Sequence, residues 1–156
     1  SRHMQSSDRF TDEEYLKIQE NQRLDKRVQV FLEIAQSRLE EIRRRMENKE
    51  WKKDEENPLE FYTYWDMVHA YQKAIDAIMI NIDEKAIYKI ASEKDIRNSL
   101  KKFYKKIQEF IPQLEPIKQL AIDLKDEALY KELIKAQETS IIAQKGALYG
   151  LGAPEQ

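Results

Sequence analysis

At 156 residues, with 27 Lys and Arg against 29 Asp and Glu for a net charge of −2, the chain suits one domain with its own core. It has no field of one sign to attract a phosphate backbone, so nucleic-acid binding is not expected. The lack of Cys excludes disulfides, thiolate nucleophiles and Cys-built zinc sites, and 3 Gly and 4 Pro among 36% charged residues disfavour both disorder and an all-β fold.

The first residues, Ser1-Arg-His-Met4, read as an expression-vector scar, with the natural part starting at Gln5. An insert that opens on Gln-Ser-Ser suggests that an upstream segment was removed. The expectation is export to the periplasm or the medium, with a trimmed cytoplasmic protein as the alternative. Residues 1–10 are accordingly expected to be scar and disordered leader.

Thr11-Asp-Glu-Glu14 is a capping box, which predicts a first helix starting there. Val28, Leu32, Ala35, Leu39, Ile42 and Met46 repeat at alternating spacings of four and three, a seam for partner helices. The polar stretch Gln19-Glu-Asn-Gln-Arg23 marks a boundary between an initial arm and this main helix. Asn57-Pro58-Leu59-Glu60 supplies a cap, a Pro at the first helical position and an acid at the third, so a second helix is predicted from Pro58 to about Ile90. The basic cluster Arg43-Arg-Arg45 and the acidic cluster Asp54-Glu-Glu56 suit the ends of these two helices.

The second helix carries Phe61, Trp65, Val68, Ile75, Met79 and Ile82 on one stripe and further apolar residues almost all round, the pattern of the most enclosed helix. Ser92-Glu-Lys-Asp95 opens a third, whose seam runs Ile96, Leu100, Phe103, Ile107, Phe110, Leu114 and Ile117. Pro112 and Pro116 lie off that seam, predicting a kink or short break near Ile111 and a helix restarted by Pro116. A fourth helix is predicted from Asp126, with Leu129, Leu133, Ala136, Ser140 and Ala143 facing a close neighbour. Gly146, Gly150, Gly152 and Pro154 end it. These elements predict an all-α antiparallel four-helix bundle over residues 11–149, with a possible extra N-terminal helical arm and a frayed tail at 150–156. The longest aliphatic run, Ala77-Ile-Met-Ile80, is far short of the ~20 residues of a membrane span, so a soluble chain is expected.

With Gly confined to the last helix and tail, the chain has no P-loop, no dinucleotide-binding Gly triplet and no nucleophile elbow. Asp66-Met-Val-His69 has the spacing of one half of a di-iron ligand set, but the second His that such a centre needs is absent outside the scar. Adjacent carboxylates such as Glu13-Glu14, Glu40-Glu41 and Glu55-Glu56 point in different directions on a helix and read as solvated. Lys101-Lys-Phe-Tyr-Lys-Lys106 reads as lysines extending into water around a core Phe103.

At about 100° per residue, Tyr62, Asp66, His69 and Lys73 share a polar-edged line beside the core face of the second helix. This line, with Trp65 and Tyr71 nearby, is where a titrating group could bind a ligand or exchange a proton. The plainer reading has Asp66 and His69 pairing locally while the aromatics fill a bundle end. The leading functional expectation is a non-enzymatic protein-interaction or structural module, with a protein partner or a homodimer and no cofactor. A ligand-binding or enzymatic bundle using the polar edge is the alternative. A metal-binding bundle built on His69 and carboxylates is a third reading.

Overall fold

The structure, a computed structural model, describes residues 7–152, so the scar and the last four residues of the expected frayed tail lie outside the described residues. The described residues form six α-helices and no strand: α1 (Asp12–Glu20), α2 (Leu24–Met46), α3 (Tyr64–Ile87), α4 (Glu93–Phe110), α5 (Leu114–Leu124) and α6 (Glu127–Gly150). The fold is all-helical.

Local chemistry sets the ends. Thr11 accepts from the Glu14 amide at 3.1 Å while Glu14 accepts from the Thr11 amide at 2.8 Å, closing the capping box that opens α1. The helix stops at Glu20, where Asn21 and Gln22 turn their side-chain amides back onto the Lys17 and Gln19 carbonyls. Ser92 and Asp126 cap α4 and α6 by accepting from amides three residues on.

The second long helix does not begin at Pro58. Asn57 does accept from the Leu59 amide at 2.9 Å, but it closes only a turn. The Leu59 and Tyr62 carbonyls, which a helix from Pro58 would need, instead accept from Arg45 at 2.7 and 2.6 Å. Thr63 and Asp66 then form their own capping box, and α3 starts at Tyr64. As a result Phe61, expected on the core stripe, is 88% exposed.

At the prolines, α4 ends at Phe110, residues Ile111–Gln113 adopt one 3₁₀ turn, and α5 starts at Leu114. Pro116 lies inside the first turn of α5 rather than restarting the helix. A missing amide there costs no intrahelical bond.

Val28, Leu32, Ala35, Leu39 and Ile42 of the α2 seam are buried, as are Leu100, Phe103, Ile107, Phe110, Leu114 and Ile117 of the α4–α5 seam. Each such large side chain contributes about 1.5–3 kcal/mol by leaving water. Both α3 and α4 pack chiefly against α2 and α6. Residue pairings give the directions. Gln36 meets Lys106 and Arg43 meets Gln113, so α2 and α4 run the same way. His69 meets Glu132 and Gln72 meets Thr139, so α3 and α6 also run the same way. The contacts Arg97 to Leu151 and Gln137 to Glu115 set α6 antiparallel to α4 and α5. The expectation of a simple antiparallel bundle lacked these parallel neighbours, which arise because α4 returns across the bundle from α3 instead of beside it.

Residues 7–10 differ from the disordered leader expected there. Phe10 is 5% exposed, packed against Tyr15 and Phe31 at ring distances of 5.5 and 6.2 Å, and closes the core where α1 meets α2.

Candidate functional site

Most of the predicted polar edge comes together, but around the N-terminal strap of residues 7–10 instead of open space. Trp65 stacks on His69, with ring centroids 4.6 Å apart and planes 12° off parallel, and the Arg9 guanidinium lies 5.3 Å from the Trp65 ring centre. Asp66 is buried; one carboxylate oxygen accepts from Arg9 Nε at 2.8 Å and the other from the Thr63 amide at 2.9 Å. Tyr62 is half-buried beneath the Arg38 guanidinium, which lies 5.6 Å from its ring centre, and burial raises its hydroxyl pKa. Lys73 lies one turn past His69 on α3, half-buried.

His69 does not pair with Asp66. Its Nδ1 is 2.6 Å from the buried Glu132 carboxylate of α6, and its Nε2 donates to the Ser7 carbonyl at 2.8 Å. A backbone carbonyl can only accept, so Nε2 carries a proton. The Nδ1 contact then needs a second proton, held either by the ring as imidazolium or by Glu132. His69 thus ties the strap, α3 and α6 together.

Tyr71 leaves the group altogether. It is fully enclosed in the core, edge-on to Phe110, with its hydroxyl 2.7 Å from Ser140 Oγ. Since Ser140 donates to the Ala136 carbonyl at 2.7 Å, Tyr71 is the donor between them. Desolvation drives the Tyr71 hydroxyl pKa well above its ordinary value, so it serves as a fixed donor.

The strongest polar construction lies on α2. Arg38 is completely buried, bonded through both terminal nitrogens to Glu14 at 2.7 Å and through Nη2 to the Arg9 carbonyl at 2.9 Å. One helical turn on, Glu41 is 2% exposed and receives Arg44, Arg45 and Asn57. Burial alone would raise its pKa, but these donors outweigh it and hold the carboxyl at about 2. Glu41, read in sequence as solvated, is therefore the anchor of the α2–α3 loop. Arg44 donates to the Lys49 carbonyl and Arg45 to those of Leu59 and Tyr62.

A sequence signal for this construction exists. Phe31, Ile34, Arg38, Glu41 and Arg45 repeat at spacings of three, four, three and four, a second seam that turns from apolar to charged while staying buried as far as Glu41 and half-buried at Arg45.

Between α1, the middle of α2 and the loop lies a cleft of about 490 Å³, lined in part by Glu14, Lys17, Arg38, Trp51, Pro58 and Leu59. Among the described residues no group of three or more His, Asp and Glu is placed to hold a metal ion, and no helix is long and apolar enough to cross a membrane. No protein-family model matches the chain, and neither the curated proteins nor the solved structures contain a match to it. Class and function therefore rest on the all-helical fold and the sites above.

Proposed function

We propose that the chain is a helical-bundle interaction module. Four long arms, α2, α3, α4 with α5, and α6, build the bundle, with α1 as an N-terminal arm. It associates through the end where α3, α4 and α6 meet. The observation carrying this reading is the concentration of exposed apolar side chains there: Ile87 and Tyr88 are each 71% exposed, Ile90 64% and Tyr149 60%. Arg97 reaching the Leu151 carbonyl and Leu100 lying against Gly150 bring the start of α4 to the end of α6. Beside these side chains runs a groove whose lining includes Ala86, Ala91, Ile96 and Leu100. Contiguous exposed apolar surface beyond a few hundred Å² is uncommon on monomers and marks association surfaces.

The polar edge supports the same reading from the other side. The carboxylate of Asp66, both nitrogens of His69 and the guanidinium of Arg9 are engaged in joining the strap to α3 and α6. Their chemistry is spent on assembly of the fold.

The test is light scattering coupled to size exclusion, run from micromolar to millimolar chain. A homodimer is the expected partner, with Ile87→Glu and Tyr88→Glu returning a monomer of unchanged helicity and melting temperature. A strictly monomeric wild-type chain across that range would sink the self-association reading.

A further inference from the structure

The N-terminal strap is held by contacts of two kinds. Arg9 Nε donates to Asp66 at 2.8 Å, Arg38 Nη2 donates to the Arg9 carbonyl at 2.9 Å, Tyr15 donates to Asp8 at 3.2 Å, and Phe10 is buried in the core. None of these involves His69. The hold at Ser7, whose carbonyl accepts from His69 Nε2 at 2.8 Å, is different because it depends on how many protons His69 and Glu132 carry between them.

A neutral imidazole has one N–H, yet the two contacts of this ring use two protons. One sits on Nε2, because a carbonyl only accepts; the other lies between Nδ1 and the Glu132 carboxylate, 2.6 Å apart. The pair therefore holds one proton more than a neutral ring beside a carboxylate. Its side chains are only 15% and 5% exposed, so water has little room to replace a broken contact. When the extra proton leaves, two arrangements of the remaining one compete. On Nε2, it leaves the Nδ1 lone pair against a buried carboxylate. On Nδ1, it keeps a charge-assisted bond to Glu132, roughly twice as strong as a neutral one. The second arrangement is favoured, and it turns the Nε2 lone pair toward the Ser7 carbonyl. Two acceptors then face each other and the hold at Ser7 is lost. The other charged groups around the ring are Asp8 and Arg9 on the strap, Asp66 and Lys73 one turn before and after it on α3, and Lys135 on α6, 4.0 Å from the second Glu132 oxygen. Asp66 is matched by Arg9 and Asp8 accepts from Tyr15, which leaves Glu132 as the carboxylate bonded to the ring.

We propose that His69 and Glu132 form a proton-operated latch on the N-terminal strap. With the extra proton between them, the chain at Ser7 is tied to α3 and α6. Without it, Ser7 is released while Arg9 and Phe10 stay seated, and His69 Nε2 becomes a free acceptor beside the Trp65 ring on which the imidazole stacks.

The test is an NMR titration of the full chain from about pH 5 to about pH 9, the span in which histidine side chains change charge. The ring ¹⁵N shifts of His69, assigned by their loss in His69→Phe, show which nitrogen carries a proton, and the ¹³C shift of the Ser7 carbonyl reports its hydrogen bond. At the acid end Nε2 is expected to be protonated and the Ser7 carbonyl bonded. As pH rises, Nε2 should lose its proton while Nδ1 holds one, and the Ser7 signal should move with the same midpoint. Glu132→Gln supplies the opposite sign. Its carboxamide donates to Nδ1, so a neutral ring keeps the Nε2 proton on Ser7 and the strap should stay tied across the whole range. The melting temperature of this variant is the folding control. The proposal is overturned by a ring whose proton count does not change over the range, by a neutral ring that keeps its proton on Nε2, by a Ser7 carbonyl that stays bonded after Nε2 is deprotonated, or by a folded Glu132→Gln chain that releases Ser7 as the wild type does.

Discussion

Arg38 and Glu14 meet at two points, Nη1 to Oε2 and Nη2 to Oε1, both at 2.7 Å, and this pair is the clamp between α1 and α2. The two partners are unequal: the Arg38 side chain is fully enclosed while that of Glu14 is 17% exposed. Removing the carboxylate strands a buried guanidinium, whereas removing the guanidinium leaves a carboxylate with some access to water. Glu14→Gln is expected to cost about 3 kcal/mol of unfolding free energy and Arg38→Met less than half of that. Urea titration of both variants decides it, and equal losses would mean that burial of the guanidinium is not what makes the clamp strong.

Glu41 gives the fold an acid-sensitive joint. Its folded carboxyl titrates at about 2 against an ordinary 4.5, so as pH falls the unfolded chain takes up the proton first. The stabilisation is complete above about pH 4.5 and is lost progressively toward pH 2, amounting to about 3 kcal/mol in all. Glu41→Gln should be less stable at neutral pH, with a flatter decline on acidification. A mutant whose urea midpoint falls with pH as steeply as the wild type would show that another carboxylate governs the acid transition.

Tyr71 and Ser140 form a hydrogen-bond relay whose two ends respond differently to truncation. In Tyr71→Phe the Ser140 hydroxyl still donates to the Ala136 carbonyl, so the loss should stay near 1 kcal/mol. Ser140→Ala instead orphans a fully buried phenolic donor and should cost about 1–3 kcal/mol. Thermal melts of the pair check the order, and a larger loss for Tyr71→Phe would reverse the assigned donor.

Legibility followed periodicity. The α4–α5 seam is buried from Leu100 to Ile117, and Leu129, Leu133, Ala136, Ser140 and Ala143 all face inward, because each is set by the helical repeat alone. What depended on distant partners was not legible. His69 finds Glu132 sixty-three residues away, and Arg9 finds Asp66 fifty-seven away; no local spacing records either. Arg38 and Glu41 were readable in principle as the charged continuation of Phe31 and Ile34, but charged residues at inward positions are rare enough that solvation is the default expectation.

The start of α3 gives the sharpest contrast between local signal and tertiary override. Asn57-Pro58 has every mark of a helix start, yet Arg45 takes the Leu59 and Tyr62 carbonyls and moves the start to Tyr64. Thr63→Ala should therefore cost about 1 kcal/mol through loss of its cap. Phe61→Ala should stay within about 0.5 kcal/mol, since the side chain is 88% exposed. A helix begun at Pro58 with Phe61 in the core requires the reverse: no effect at Thr63 and a loss of about 3–5 kcal/mol at Phe61. Chemical denaturation of the two single variants separates these outcomes, and a large loss at Phe61 would place the ring in the core and the helix start back at Pro58.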